Sequence, residues 1–261
     1  MDDATPLMDL LALRGGGIIS IVGGGGKTTL MECLAREMLV RGETVLVTTT
    51  TRILRPGGEL PERIIISAQP GAVLERAQDL LLASGRVTAA SACLASDEKL
   101  AGFRVEQIEE LKQGNLFDWI VVEADGARRL PLKAPGPHEP VVPLSSGWVI
   151  AVVGLDAIGR PLTDEWVFRS RLFAEITGLP PGAAVTEESV AAALVHEHGI
   201  MKDCPAAALK YVFLNKAETA DRRLRGRRIA HILQEKKRMK LERVMIGALE
   251  WETEPLEYYA L

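Results

Sequence analysis

The chain has 261 residues, 47% of them hydrophobic and 25% charged, which allows a sizeable core and is ordinary for a globular protein. A formal charge of −4 argues against nucleic-acid binding by the whole molecule, and no apolar run reaches the roughly 18 residues of a membrane span. The cysteines (Cys33, Cys93, Cys204) are far apart with no C-x-x-C pair, and residues 1–17 lack a secretory signal pattern, so a reducing cytoplasm is the expected setting.

Residues 1–17 read as a short amphipathic lead-in carrying Leu7, Leu10, Leu11 and Leu13. Residues 18–22 are an apolar strand, followed by Gly23, Gly24, Gly25 and Gly26 and then by Lys27, Thr28 and Thr29 opening a helix. That order makes a phosphate-binding loop. Glycine N–H groups can close around oxyanions, and the helix N-terminus adds unpaired donors and partial positive charge. Lys27 is expected to reach the terminal phosphates and Thr28 to ligate Mg2+. Ile21 stands where the long G-x-x-x-x-G-K-[ST] template asks for glycine, so the loop is a shortened variant that resembles Mur-type ligases in spacing.

Helical spacing continues through Leu30, Leu34, Ala35, Met38 and Leu39 to Gly42. Residues 44–49 and 63–67 read as strands around a loop at 55–58, and 72–83 as a helix; 87–94 is ambiguous. A short helix at 105–112 precedes a strongly apolar strand at 116–122. The proline-rich stretch 130–143 is neither helix nor central strand, and 148–153 is another buried strand. Residues 165–177 and 186–196 read as helices, the second with a loose capping box from Thr186. A strand at 208–214, a basic amphipathic helix at 220–234 and a last strand at 243–246 complete the pattern. The alternation predicts one α/β domain over residues 1–261, a doubly wound, mostly parallel sheet of P-loop NTPase type, with a helical insertion at about 155–207.

Ligands of such sheets sit beyond the carboxyl ends of the strands. There the second strand presents four threonines and Arg52, a cation suited to phosphate. The 116–122 strand presents Glu123 and Asp125, either of which suits a Mg2+-bound triphosphate or an attacking water, with Arg128 and Arg129 beyond them. Its E-x-x-G resembles a motif of the metallochaperone GTPases. The 208–214 strand presents Asn215, Lys216 and Glu218, which resembles the guanine-reading N-K-x-D with glutamate in place of aspartate, so the base stays open between GTP and ATP.

In the proline-rich loop Lys133, His138 and Glu139 are candidate substrate contacts. His196 and His198 are two apart on a helix end and their rings point away from each other, so a surface role outweighs a metal site. The arginines of 222–228 fit a solvated helix face, with no aromatic residue interleaved for base stacking.

Taken in order, VGGGGKTTL, TTTTR, VVEADGARRLPLKAPGPHEPVVP, VVGLDAIGRPL, LFAEITGLPPG and FLNKAE resemble the YqeC-type proteins, over roughly residues 18–218. Where that family has His-Arg-Pro-Glu, this chain has Phe168-Arg169-Ser170-Arg171, so only Arg169 carries over. The resemblance implies a cytoplasmic P-loop NTPase, binding Mg2+ with GTP or ATP, that assists maturation of selenium-dependent molybdenum hydroxylases. Its implied partners are a hydroxylase client or cofactor-maturation proteins. A small-molecule kinase or Mur-like ligase, with Lys133 and Arg169 clamping an acidic acceptor, is the alternative. A nucleotide-binding adaptor with negligible turnover is a third reading.

Overall fold

Uninterrupted aliphatic and β-branched runs cannot alternate inward and outward, so they fold as strands covered on both faces. The computed structural model describes residues 5–54, 64–94, 99–236, 239–249 and 256–261. Residues 55–58 and position 63, read above as loop and strand start, lie outside the described residues.

The chain runs α1 (Leu7–Leu10), β1 (Gly17–Gly23), α2 (Lys27–Val40), β2 (Val45–Thr49), β3 (Arg52–Leu54), β4 (Ile64–Ile66), α3 (Pro70–Ser84) and β5 (Arg86–Ala90). Then come β6 (Ala92–Cys93), β7 (Lys99–Ala101), α4 (Val105–Gln113), β8 (Trp119–Glu123), β9 (Leu132–Lys133) and β10 (Ser146–Gly154). The rest is β11 (Val167–Phe168), α5 (Ser170–Thr177), α6 (Glu187–Val195), β12 (Leu209–Asn215), α7 (Ala220–Lys236), β13 (Arg243–Ile246) and β14 (Glu257–Ala260). The main sheet has nine strands in the order β14-β13-β12-β10-β1-β8-β2-β5-β4, every pairing parallel except that of β14.

One face of the sheet, with Ile19, Ile21, Val47, Val121, Ile150 and Phe213, packs under α1 and α2. The other face is covered in two parts. Ile18, Leu46, Ile120 and Val122 meet α3 and α4, while Val149, Ala151, Val212 and Leu214 meet α5, α6 and α7. This is the doubly wound, P-loop NTPase-like α/β arrangement the alternation predicts. The strand order reverses around β1, which has β8 on one side and β10 on the other. That reversal opens the crevice where ligands of such sheets bind.

The structure departs from the reading most in three places. The ambiguous segment 87–94 holds two strands: β5 joins the main sheet and β6 a small sheet with β3 and β7. The last strand is β14, not β13; its Glu-Tyr-Tyr-Ala is a short antiparallel edge whose exposed Tyr258 hides the hydrophobic signal. Helix α5 starts at Ser170 rather than 165, because Val167 and Phe168 pair with Leu132 and Lys133, and Asp164 accepts from the Ser170 N–H and hydroxyl. The lead-in is anchored: Glu37 of α2 accepts from the Leu7 and Met8 N–H groups at 2.8 Å each, supplying the acceptors the start of α1 lacks.

Candidate functional site

The loop between β1 and α2 lies at the reversal point. The expectation that its glycine N–H groups close around an oxyanion needs correction for three of the four: Gly24 N–H donates to Val152 O at 2.9 Å, Gly25 N–H to Leu130 O at 3.0 Å, and Gly23 N–H to Asp125. At the start of α2, Leu30 N–H donates to Gly26 O. The N–H groups of Lys27, Thr28 and Thr29 have no carbonyl four residues back inside the helix. Three of the loop glycines could be nothing else: at Gly23, φ +96°, a Cβ would lie 2.2 Å from Val152 O. Gly26 has φ +132° and a Cβ there would lie 2.1 Å from Asn215 Nδ2; at Gly25, φ +77°, it would lie 2.3 Å from Gly154 N.

Lys27 bends back into the protein. Its ammonium donates to Gly23 O at 2.7 Å and stands 3.4 Å from Glu123 Oε1 and 3.3 Å from Asp125 Oδ1. Burial works against that ammonium, but the charges of Asp125 and Glu123 outweigh it and hold Lys27 above the ordinary lysine range. Glu123 ends β8, in register with Ile21 of β1 and Thr49 of β2. Burial, helped by the Asp125 charge, pushes its carboxyl above the usual glutamate value against the pull of Lys27. Asp125 is fully buried and accepts from Gly23 N–H at 3.0 and 3.1 Å.

The exposed Thr28 donates its hydroxyl to Glu123 Oε2 at 3.3 Å. A hydroxyl and a carboxylate oxygen side by side are the hard donors Mg2+ takes, so this pair fits the ion. Among the described residues no group of three or more His, Cys, Asp or Glu could hold a metal on its own. The two histidines lie just past α6, where the backbone turns, so their rings do not point apart as read but lie 5.7 Å between centroids, and His196 Nδ1 accepts from the His198 N–H. Burial lifts the Cys204 thiol to about 12, far from a reactive thiolate.

Asn215, at the end of β12 beside Gly154, donates through Nδ2 to Gly25 O at 2.8 Å and accepts from Leu249 N–H at 3.2 Å. It thus ties β12 to the glycine loop. Lys216 donates to Asp156 Oδ2 at 2.8 Å, and Glu218 accepts from Arg222 one turn later on α7. Asp156 was missing from the sequence reading; its only signal is its place just past β10.

The candidate substrate contacts divide. Lys133 as an acceptor clamp needs correction: it is fully buried, and its ammonium is spent on Gly126 O at 2.7 Å, Asp125 at 3.0 Å and Glu139 at 2.7 Å. Glu139 is bound by Lys133 and Arg169; burial raises its carboxyl, but those two cations prevail and hold it at about 2. Arg169 therefore serves the proline-rich loop. Arg52 is exposed on β3, paired with Ala101 in the small sheet, and the neighbouring Thr48, Thr49 and Thr50 donate to Ala89 O, Glu123 O and Val141 O. His138 and Arg128 are exposed. Arg128, Lys133 and Arg169 gather at 4.9, 5.8 and 4.4 Å from the centroid of Phe168. The arginines of α7 are more than solvated: Arg223 and Arg227 meet Glu257, and Arg225 meets Asp221 and Glu187.

A parallel sheet with a glycine loop at its reversal point, a buried loop lysine and a strand-end carboxylate define a P-loop NTPase-like α/β protein. Residues 19–171 match the family described as YqeC protein, and the chain belongs to that family. The YqeC protein of Escherichia coli (strain K12) is 33% identical over 250 residues, covering 96% of this chain and 94% of that one. Among solved structures, HypB from Helicobacter pylori in complex with nickel is similar with a TM-score of 0.39 and 12% identity, over 94% of this chain and 84% of its own. No helix among the described residues is long and apolar enough to cross a membrane.

Proposed function

We propose that this chain binds a nucleoside triphosphate at the Gly23–Gly26 loop and hydrolyses it, acting as an accessory protein in the maturation of selenium-dependent molybdenum hydroxylases. The observation that carries the binding reading is the buried Lys27 ammonium held between Gly23 O, Glu123 and Asp125 at the head of α2. A cation kept charged there is a ready counterion for a phosphate, and the N–H groups of Lys27, Thr28 and Thr29 add donors from the positive end of the helix. The hydroxylase pathway rests on the family resemblance alone.

Thr28 and Glu123 would hold Mg2+, which when bound supplies positive charge that offsets the phosphates. Glu123 is also the residue we assign to orienting an attacking water and accepting its proton. Asp125 is given a supporting role instead, since Lys27, Lys133 and Gly23 N–H already engage its two oxygens. Lys27 stabilises charge that builds on the transferred phosphoryl group.

Asn215 holds the loop, and we assign Lys216 and Glu218 to the base, with guanine ahead of adenine. Acceptor phosphorylation is weakened as a reading, because the buried Lys133 is not open to an acceptor acid. Steady-state release of inorganic phosphate from Mg-GTP and Mg-ATP, with no acceptor added, tests hydrolysis. Turnover above that of a Lys27→Ala control supports it, and turnover that appears only with an added acid overturns it in favour of a kinase or ligase.

A further inference from the structure

A line of alternating charges runs from the phosphate loop into the insertion. Lys27 Nζ stands 3.3 Å from Asp125 Oδ1, Asp125 Oδ2 is 3.0 Å from Lys133 Nζ, and Lys133 Nζ is 2.7 Å from Glu139 Oε2. Both Glu139 oxygens then accept from the Arg169 guanidinium, at the residue that precedes α5. The first three members are buried: Lys27 is 5% exposed, and Asp125 and Lys133 are both at 0%.

The backbone runs parallel to this line. The proline-rich loop is pinned to the phosphate loop by Gly25 N–H on Leu130 O and to the end of β10 by Gly154 N–H on Pro131 O. At its far end Ala134 N–H donates to Phe168 O, and Lys202 donates to Gly136 O and Pro137 O at 3.1 and 2.8 Å. Residues 130–137 therefore touch the glycine loop at one end and the insertion at the other.

A buried charge that loses its partner is costly, so its neighbours rearrange rather than leave it alone. Lys27 is shared among Gly23 O, Glu123 and Asp125. An anionic phosphate beside Lys27 competes for that ammonium and leaves Asp125 to Lys133 and Gly23 N–H. Lys133 is sealed from water, so a tighter bond to Asp125 comes at the expense of Glu139. Glu139 then depends more on Arg169, which shifts the start of α5.

We propose that Lys133 is the pivot of a two-way coupling between the phosphate loop and the insertion, with Asp125 on one side and the Glu139–Arg169 pair on the other. This rests on the triphosphate binding proposed above, though on neither the base nor hydrolysis. Coupling of this kind is reciprocal, so whatever grips the Arg169 end also changes affinity at the loop.

The test is hydrogen exchange of the full chain, alone and saturated with the Mg2+ complex of a non-hydrolysable GTP or ATP analogue, after equilibrium dialysis has measured binding of each. The expected result is a change in exchange of about fivefold or more at residues 134–140 and across α5. Arg169→Gln should keep nucleotide affinity within about threefold, a spread within the usual variation between contexts, while the response of α5 disappears. Glu139→Gln provides the same reading should the arginine variant fail to fold. Saturated wild-type protein with an unchanged α5, or variants that respond as wild type does, overturns the coupling and leaves the binding reading standing. No binding of either nucleotide overturns both.

Discussion

Asn215 Nδ2 donates to the carbonyl oxygen of Gly25 at 2.8 Å, joining the end of β12 to the glycine loop 190 positions earlier in the chain. This bond shapes the loop and leaves the base to other residues. Replacing Asn215 with alanine should lower affinity for GTP and ATP equally, by about tenfold, the equivalent of about 1.4 kcal/mol. Equilibrium dialysis of both nucleotides checks it.

Glu218→Ala makes the contrasting case. If this carboxylate reads guanine, its loss should weaken GTP by about tenfold, on the order of one charged hydrogen bond, and leave ATP unchanged. The Arg222 partner of Glu218 lies one turn away on α7 and holds the carboxylate without needing the base. Equal affinities for GTP and ATP in the wild-type protein would end the guanine assignment.

Gly26→Ala should damage the loop itself. The added methyl would fall 2.1 Å from Asn215 Nδ2, a buried group already fixed by two hydrogen bonds, and the φ of +132° strains any side chain. A stability loss of about 1–3 kcal/mol is expected, together with loss of nucleotide binding. Chemical denaturation with and without nucleotide measures both.

Acid should loosen the insertion. The Glu139 carboxyl is held at about 2, below its ordinary value of 4.5, by Arg169 and Lys133 against its burial. A depressed acid stabilises the fold above its unfolded value, and that contribution is lost as pH falls from about 5 towards 2. Glu139→Gln should be less stable at neutral pH and should have a flatter stability profile across that window, as followed by thermal unfolding.

Glu123 moves in the opposite sense. Its carboxyl lies above the usual range because burial and Asp125 disfavour the charge. Mg2+-dependent nucleotide binding should therefore weaken at a higher pH than an exposed glutamate would allow. Glu123→Gln should weaken Mg2+-dependent triphosphate binding, as protonation does, and reduce hydrolysis by about 100-fold or more, since general-base contributions reach that size.

The sheet was legible because its strands are covered on both faces. Runs such as Trp148–Val153 and the residues up to Glu123 leave no alternative that buries so many aliphatic side chains. The glycine loop was legible because its backbone demands glycine whatever surrounds it. The edge strand β14 was not, since two of its four residues are exposed and the other two only half-buried, and two of the four are tyrosines. Lys133 misled for a related reason. A lysine among prolines reads as surface, and the two carboxylates that allow its burial come from Asp125, eight residues earlier, and from Glu139 across the loop. Nor does periodicity report that Phe168 O is taken by Ala134 N–H, which delays the start of α5.

The central claim is that Lys27 and the loop before it hold a triphosphate. Its most direct measurement is calorimetric titration of Mg-GTP and Mg-ATP into the wild-type chain and into Lys27→Ala. In that variant the buried Asp125 keeps Lys133 and the Gly23 N–H, and Glu123 keeps the Thr28 hydroxyl, so both carboxylates retain a partner. Binding to the wild type with at least about a 100-fold loss in the variant, roughly 2.7 kcal/mol, is the result the account predicts. Unchanged affinity in Lys27→Ala, or no binding of either nucleotide to the wild-type chain, would contradict it.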